Sequence, residues 1–189
     1  GEIACYLSHI KVWRQIAEGD SAMAFVFEDD VQFAPGIGDI LKSIENGPLD
    51  WDLLRLYSNK PKPIMQPRPL GTKHAIGSVE KIPMSTIAYA VTRSAARHLA
   101  DISIPFYLPV DADLKRWWAN RLCTKIIAPP VAWPRNADPA SSTLHQGRNA
   151  QRGHNLLIRM INNLRYHRKI AHEIRQNRSD FPTTRQFFD

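Results

Sequence analysis

"MAFVFEDDV", residues 23–31, runs through an apolar, β-forming stretch and stops on three adjacent carboxylates, Glu28, Asp29 and Asp30, before resuming with Val31. Neighbouring carboxylates repel and raise one another's pKa. Two readings follow. One is a solvated acidic turn at a strand end. The other is a site where a hard divalent cation, Mg²⁺ or Mn²⁺, cancels the charge together with substrate phosphates. Apolar residues flank the cluster on both sides, 24–27 and 31–33, and hinder its solvation, which favours the second reading. In an extended stretch, residues 28 and 30 share a face. Glu28 and Asp30 are therefore expected to address one ion while Asp29 faces the other way.

Outward from this stretch the chain alternates between two periods. Apolar residues at 3, 6, 7, 10, 13, 16 and 17 have helical spacing, ended by Gly19 and Asp20. Residues 22–27 then read as a strand. Ile37, Ile40, Leu41 and Ile44 predict a helix stopped at Gly47 and Pro48. Strands are expected over 52–58 and 85–92. Between them, 59–82 carries Pro61, Pro63, Pro67 and Pro69 and reads as a long loop. A helix over 93–101 has Thr92 or Ser94 as its cap. A further helix, 110–121, is entered from Pro109, and a strand over 123–128 closes at Pro129 and Pro130. This order predicts an α/β fold: a mixed, mostly parallel sheet flanked by helices. Ligands in such folds sit beyond the carboxyl ends of strands, where Glu28, Asp29 and Asp30 fall.

Composition narrows the class. A chain of 189 residues with 43% hydrophobic content suits one domain with a real core. No stretch reaches the roughly 20 apolar residues of a membrane span. Gly1 opens directly on helical sequence, so no secretory leader is expected. The two cysteines, Cys5 and Cys123, lie in apolar stretches and read as buried thiols in a reduced, cytoplasmic setting. The net charge of +7 is carried entirely by 148–178, which holds eight Lys/Arg against Glu173 alone. Residues 147–189 are thus expected to form a basic, amphipathic helical arm on a neutral core, 1–146. Charge alone would allow a nucleic acid, but no nucleic-acid motif accompanies it, and none is expected as a partner. An anionic membrane surface suits the arm better.

The acid-x-acid pattern joins four further blocks: "GEIACYLSHIKVWRQIAE" (1–18), "WDLLRLYS" (51–58), "STIAYAVTRSAARHL" (85–99) and "LPVD" (108–111). Together with "FVFEDDV" (25–31), these strongly resemble glycosyltransferase family 25, the lipooligosaccharide-type galactosyltransferases related to the collagen galactosyltransferases. The resemblance covers roughly 1–131. It implies a GT-A-like (Rossmann-like) fold and a metal-dependent, inverting hexosyl transfer. The implied donor is a UDP-sugar, usually UDP-galactose. The implied acceptor is a lipooligosaccharide or LPS-type glycan, lipid-linked and made at the inner face of the cytoplasmic membrane. Family members usually begin with a strand and helix that build much of the nucleotide pocket, so the core is expected to be N-terminally truncated relative to them.

Site residues follow from the blocks. Glu28, Asp29 and Asp30 match the metal-diphosphate motif, Ser8 and His9 the "LSH" block, and Asp111 the "PVD" block. Asp111 reads either as the general base that an inverting transfer needs or as a helix N-cap. Asp113 is the fallback base, or a first-turn residue favoured by the helix dipole. His9 falls at helical spacing from Tyr6, Trp13 and Ile16, as a satisfied core histidine would, and the family match adds a pocket role. His145, in "SSTLHQ", is either a distant member of the metal shell or an exposed loop residue. Of Trp117 and Trp118, one is expected in the core and one could stack on a sugar. Two rival functions share these residues: an inactive remnant that scaffolds glycan assembly, and a metal-dependent phosphodiesterase.

Overall fold

The computed structural model describes residues 1–59 and 63–135, with Arg168 and His172. Glu2–Arg135 falls within one compact unit. The basic arm apart from those two residues, the boundary at 146/147 and His145 lie outside the described residues. No helix among the described residues is long and apolar enough to cross a membrane.

The chain opens with α1 (Glu2–Glu18), β1 (Met23–Phe27), β2 (Val31–Phe33), α2 (Ile37–Glu45) and β3 (Leu53–Arg55). It continues through β4 (Met65–Leu70), β5 (His74–Ser78), β6 (Ala88–Thr92) and α3 (Arg93–Ile102). The short helices α4 (Val110–Asp113) and α5 (Trp117–Asn120) and the strands β7 (Thr124–Ala128) and β8 (Ala132–Pro134) follow. Six strands form one sheet in the order β1-β6-β3-β7-β5-β4, and β2 pairs with β8 in a small second sheet. The α/β class and the mixed, helix-flanked sheet are as expected. Its parallel share is not. Among the described residues only β3 and β7 run parallel; β1-β6, β3-β6, β5-β7 and β4-β5 are antiparallel. The order of helices and strands does not by itself assign strand direction, because α3, α4 and α5 fall between β6 and β7, which are not neighbours in the sheet.

Alternation along the central strands builds a core on each face. Leu53, Tyr89 and Val91 pack with Tyr6, Ile10 and Trp13 of α1 and Ala95, Ala96 and Leu99 of α3. Leu54, Ala88 and Ala90 pack on the other face with Ile44, Trp51 and Ile127. Every residue of β6 is buried, as a central strand covered on both faces requires. The buried stripe of α1 is Tyr6, His9, Ile10, Trp13 and Ala17. Ile3 and Leu7, expected on that face, are 67% and 49% exposed, since the stripe takes in His9 instead. The C-terminal carbonyls of α1 are capped from α3: Arg97 Nη2 donates to Ala17 O (2.9 Å) and Arg93 Nη1 to Gly19 O (3.2 Å).

Two expected elements differ. The loop over 59–82 contains a hairpin, β4-β5, turned at Gly71 with φ +63°. Pro67 and Pro69 argued against a strand, but β4 lies at the sheet edge, where a missing N–H costs no ladder bond. The helix over 110–121 is broken into α4 and α5. Arg116 departs from helical geometry (φ −88°, ψ 65°), and the Asn120 amide bonds back to Leu114 O at 3.2 Å. Cys123 is buried as expected, and burial pushes its thiol up to about 12. Cys5 is only half-buried.

Thr92 is the α3 cap, accepting the Ala95 N–H at 3.3 Å. Thr92→Ala is expected to cost about 1 kcal/mol, measured by urea denaturation.

Candidate functional site

The site is assembled where α1 crosses the carboxyl end of β1. Cys5 and His9 are one helical turn apart, so they share a face. His9 is 6% exposed, and its Nδ1 shares a 2.8 Å hydrogen bond with the Tyr89 hydroxyl. Trp13 Nε1 donates to the same hydroxyl at 2.9 Å. Burial drives the Tyr89 pKa far above its ordinary value, so the phenol stays protonated.

Glu28 follows β1 directly. Its N–H donates to Ile87 O at 2.9 Å, and its Oε1 accepts a hydrogen bond from the Thr86 hydroxyl. His9 Nε2 lies 3.8 Å from the same oxygen, an ion-pair distance rather than a hydrogen bond. Burial alone would raise the Glu28 pKa, but His9, Thr86 and the charge of Arg55 together hold it below the usual value. Residues 28–31 close a turn in which Val31 N–H donates to Glu28 O at 3.2 Å. The expected extended alternation therefore does not hold. Glu28 is held by Thr86 and His9, while Asp29 and Asp30 are both exposed. Partial burial, then the charges of Glu28 and Asp29, raise the Asp30 pKa. A hard divalent ion would relieve that repulsion, so the turn fits one on its donor chemistry.

Arg55 is a site residue that sequence reasoning missed. It ends β3, is 1% exposed, and donates from Nη1 to Ser85 O. Its Nε and Nη2 have no hydrogen-bond partner among the described residues. Burial lowers its pKa to about 10, and the charges of Tyr89, Asp111 and Glu28 oppose that fall, so it stays cationic at neutral pH. The signal was an arginine inside the apolar run Leu53-Leu54-Arg55-Leu56. Thr86 was missed too, and no pattern in the sequence marks it.

Asp111 lies in the first turn of α4. The N-cap position is Pro109, so the expected capping role does not apply to Asp111. Its Oδ1 accepts the Ala112 N–H at 2.8 Å. Its charge is felt at both Cys5 and Arg55, which places it in the same electrostatic neighbourhood as Glu28. Burial, followed by the carboxylates of Glu28, Asp111 and Glu2, pushes the Cys5 thiol up. Asp113 is engaged at both oxygens: Tyr6 Oη donates to Oδ2 at 2.6 Å and Arg116 Nη1 to Oδ1 at 3.1 Å. Ser8 is exposed, unlike its neighbour His9. Trp117 is buried, and Trp118, half-buried, meets it edge-to-face at 5.8 Å. The donor atoms of Cys5, His9 and Glu28 lie within 4.8 Å of one another.

The sequence profile described as Glycosyltransferase family 25 (LPS biosynthesis protein) matches residues 1–114. This chain belongs to glycosyltransferase family 25. Procollagen galactosyltransferase 1-A of Xenopus laevis is 31% identical over 124 residues, covering 60% of this chain and 19% of the relative. Procollagen galactosyltransferase 2 of Mus musculus is 31% identical over 121 residues, with the same coverage of 60% and 19%. The human Inactive glycosyltransferase 25 family member 3 is also 31% identical, over 119 residues, covering 60% and 20%. The chain thus spans about a fifth of the length of these relatives. Its family 25 segment contains the acidic turn, Cys5, His9, Arg55, Thr86 and Asp111.

Thr86→Val removes a donor to the ionised Glu28 and should move its pKa up in metal-free buffer, read by carboxylate NMR titration. Because the folded-state pKa is depressed, Glu28 adds stability above its unfolded-state pKa and loses it as pH falls through the folded value. The variant should therefore lose less stability than the parent over that acid window.

Proposed function

We propose that the protein transfers a hexosyl group, galactose being the expected sugar, from a UDP-sugar to a glycan acceptor, with inversion at the anomeric carbon. The observation that carries this reading is the acidic turn at the carboxyl end of β1, whose Glu28 acts, like Asp111, on the buried Arg55 cation. Asp30, Asp29 and Glu28 are the residues that would hold Mn²⁺ or Mg²⁺. Such an ion supplies charge neutralisation for the diphosphate of the departing UDP.

The chain's own groups supply the rest. Asp111 takes the proton from the acceptor hydroxyl as that oxygen forms its bond to the anomeric carbon, and the bond to UDP breaks on the opposite face. The Ala112 N–H on Oδ1 orients the carboxylate and leaves Oδ2 for the acceptor. His9 and Thr86 hold Glu28. Arg55 offsets the negative charge gathered around it without leaving the core. Asp113, tied to Tyr6 and Arg116, secures α4 against α1 and is not the base in this reading. The acceptor class is a lipooligosaccharide or LPS-type glycan. A basic arm over 147–189 would bring the core 1–146 to its lipid at the inner face of the membrane.

A second reading is favoured by one finding: the chain is as similar to a relative named inactive as to the galactosyltransferases. On that reading the protein binds or scaffolds glycan and transfers nothing.

Release of UDP from UDP-galactose and UDP-glucose in the presence of Mn²⁺ separates the two. Asp30→Ala should abolish Mn²⁺-dependent UDP binding in calorimetry, and unchanged affinity would remove the turn from the site. Asp111→Asn should lower turnover by about 10²–10⁴ with melting and UDP affinity unchanged. Near-normal turnover in that variant would exclude Asp111 as base. UDP binding without any release by the parent chain would favour the scaffold. Deleting residues 147–189 should abolish co-sedimentation with anionic vesicles, and equal sedimentation would refute the membrane role.

A further inference from the structure

The three metal-ligating groups gathered where α1 meets the acidic turn are a poor match for the ion proposed above. Mn²⁺ and Mg²⁺ prefer carboxylate, carbonyl and water oxygens. Cys5, His9 and Glu28 offer one thiol, one imidazole and one carboxylate, with donor atoms inside 4.8 Å. That set is the donor chemistry of Zn²⁺ with three protein ligands and one position left open.

We infer that Cys5, His9 and Glu28 form a binding site for a single borderline divalent cation of the Zn²⁺ type, adjoining the hard-ion site of the acidic turn and sharing Glu28 with it. Two observations besides proximity support it. The first is spacing: Cys5 and His9 stand one turn apart on α1, so a rigid helix presents both ligands on one face. The second is support from outside the ligand set. A metal-bound imidazole donates its other N–H to an acceptor. Tyr89 Oη, 2.8 Å from His9 Nδ1, is placed to accept it. Trp13 Nε1 already donates to that hydroxyl and fixes its position. The Nε2 lone pair then faces Glu28. Thr86 holds Glu28 Oε1 in the same way. On binding, the thiol proton is released to solvent as the S–metal bond forms.

The two sites differ in their other ligands. Asp29 and Asp30 are exposed on the turn and are not part of the Cys5-His9-Glu28 group. Only Glu28 belongs to both sets. Occupancy of the inner site would clamp α1 to the end of β1.

Co²⁺ is the spectroscopic probe, used on the whole reduced chain without other metals. A single equivalent should produce a thiolate-to-cobalt charge-transfer band in the near ultraviolet, and Zn²⁺ should displace it. Cys5→Ser should abolish the band, and Cys123→Ser should retain it. His9→Gln should weaken Zn²⁺ binding by roughly 100-fold or more, and Tyr89→Phe by about 10-fold, in competition with a chromophoric chelator. Circular dichroism checks that each variant folds; if His9→Gln does not, the Cys5 and Cys123 variants decide. A band that survives Cys5→Ser, Co²⁺ saturation without a thiolate band, or no stoichiometric Co²⁺ binding would each overturn the inference. Asp30→Ala separates the two sites. It should retain the cobalt band while losing Mn²⁺-dependent UDP binding, so failure of the inner site and failure of the transferase reading give different results.

Discussion

The hydroxyl of Tyr89, a wholly buried residue between the sheet and α1, is the constraint on which the site depends. A buried hydroxyl without partners costs about 1–3 kcal/mol. Here it binds Trp13 and His9, both from α1. These two bonds set the rotation of α1 on the sheet as well as its position. Apolar packing of Tyr6, Ile10 and Trp13 is tolerant of small rotations; a hydroxyl 2.8 Å from an imidazole is not. The same pair of bonds aims His9 at the end of β1 and brings Cys5 along, one turn earlier on the helix.

Charge follows from that placement. Glu28 is partly desolvated yet ionised more readily than usual, because His9, Thr86 and Arg55 favour its anion over its acid. Arg55 is the costlier group. A buried guanidinium with two nitrogens unpaired among the described residues is poor for stability taken alone. It is held by the Ser85 carbonyl, and the Ser85-Thr86-Ile87 segment in turn holds Glu28 through the Thr86 hydroxyl and the Ile87 carbonyl. The buried cation therefore supports the loop that positions the carboxylate as well as the field around it.

Family 25 membership places these groups in a glycosyltransferase framework, and the local geometry refines what the motif does. Three consecutive acidic residues are not three equivalent ligands. The turn divides them into Glu28, fixed against α1 and the 85–87 loop, and Asp29 and Asp30, exposed to solvent. Asp111 and Asp113, two residues apart on α4, are divided in the same way. Asp113 is consumed by Tyr6 and Arg116, and Asp111 keeps an oxygen outside its local turn.

Local sequence determined the elements whose signals are local. Helical periodicity placed α1, α2 and α3, the hydroxyl residues Thr92 and Ser94 narrowed the α3 cap to two, and the apolar runs marked β1, β6 and β7. The acidic cluster and its strand-end position were legible for the same reason, since adjacency needs no fold. What depends on pairing was not legible. Strand direction, the edge position that lets β4 carry two prolines, and the turn that separates Glu28 from Asp29 and Asp30 were decided only by the tertiary structure. So were Arg55 and Thr86 as site residues. Their partners are 30 and 58 residues away, Ser85 and Glu28 respectively. No periodicity within one segment encodes a contact between two, because such a contact exists only once the sheet has set their register.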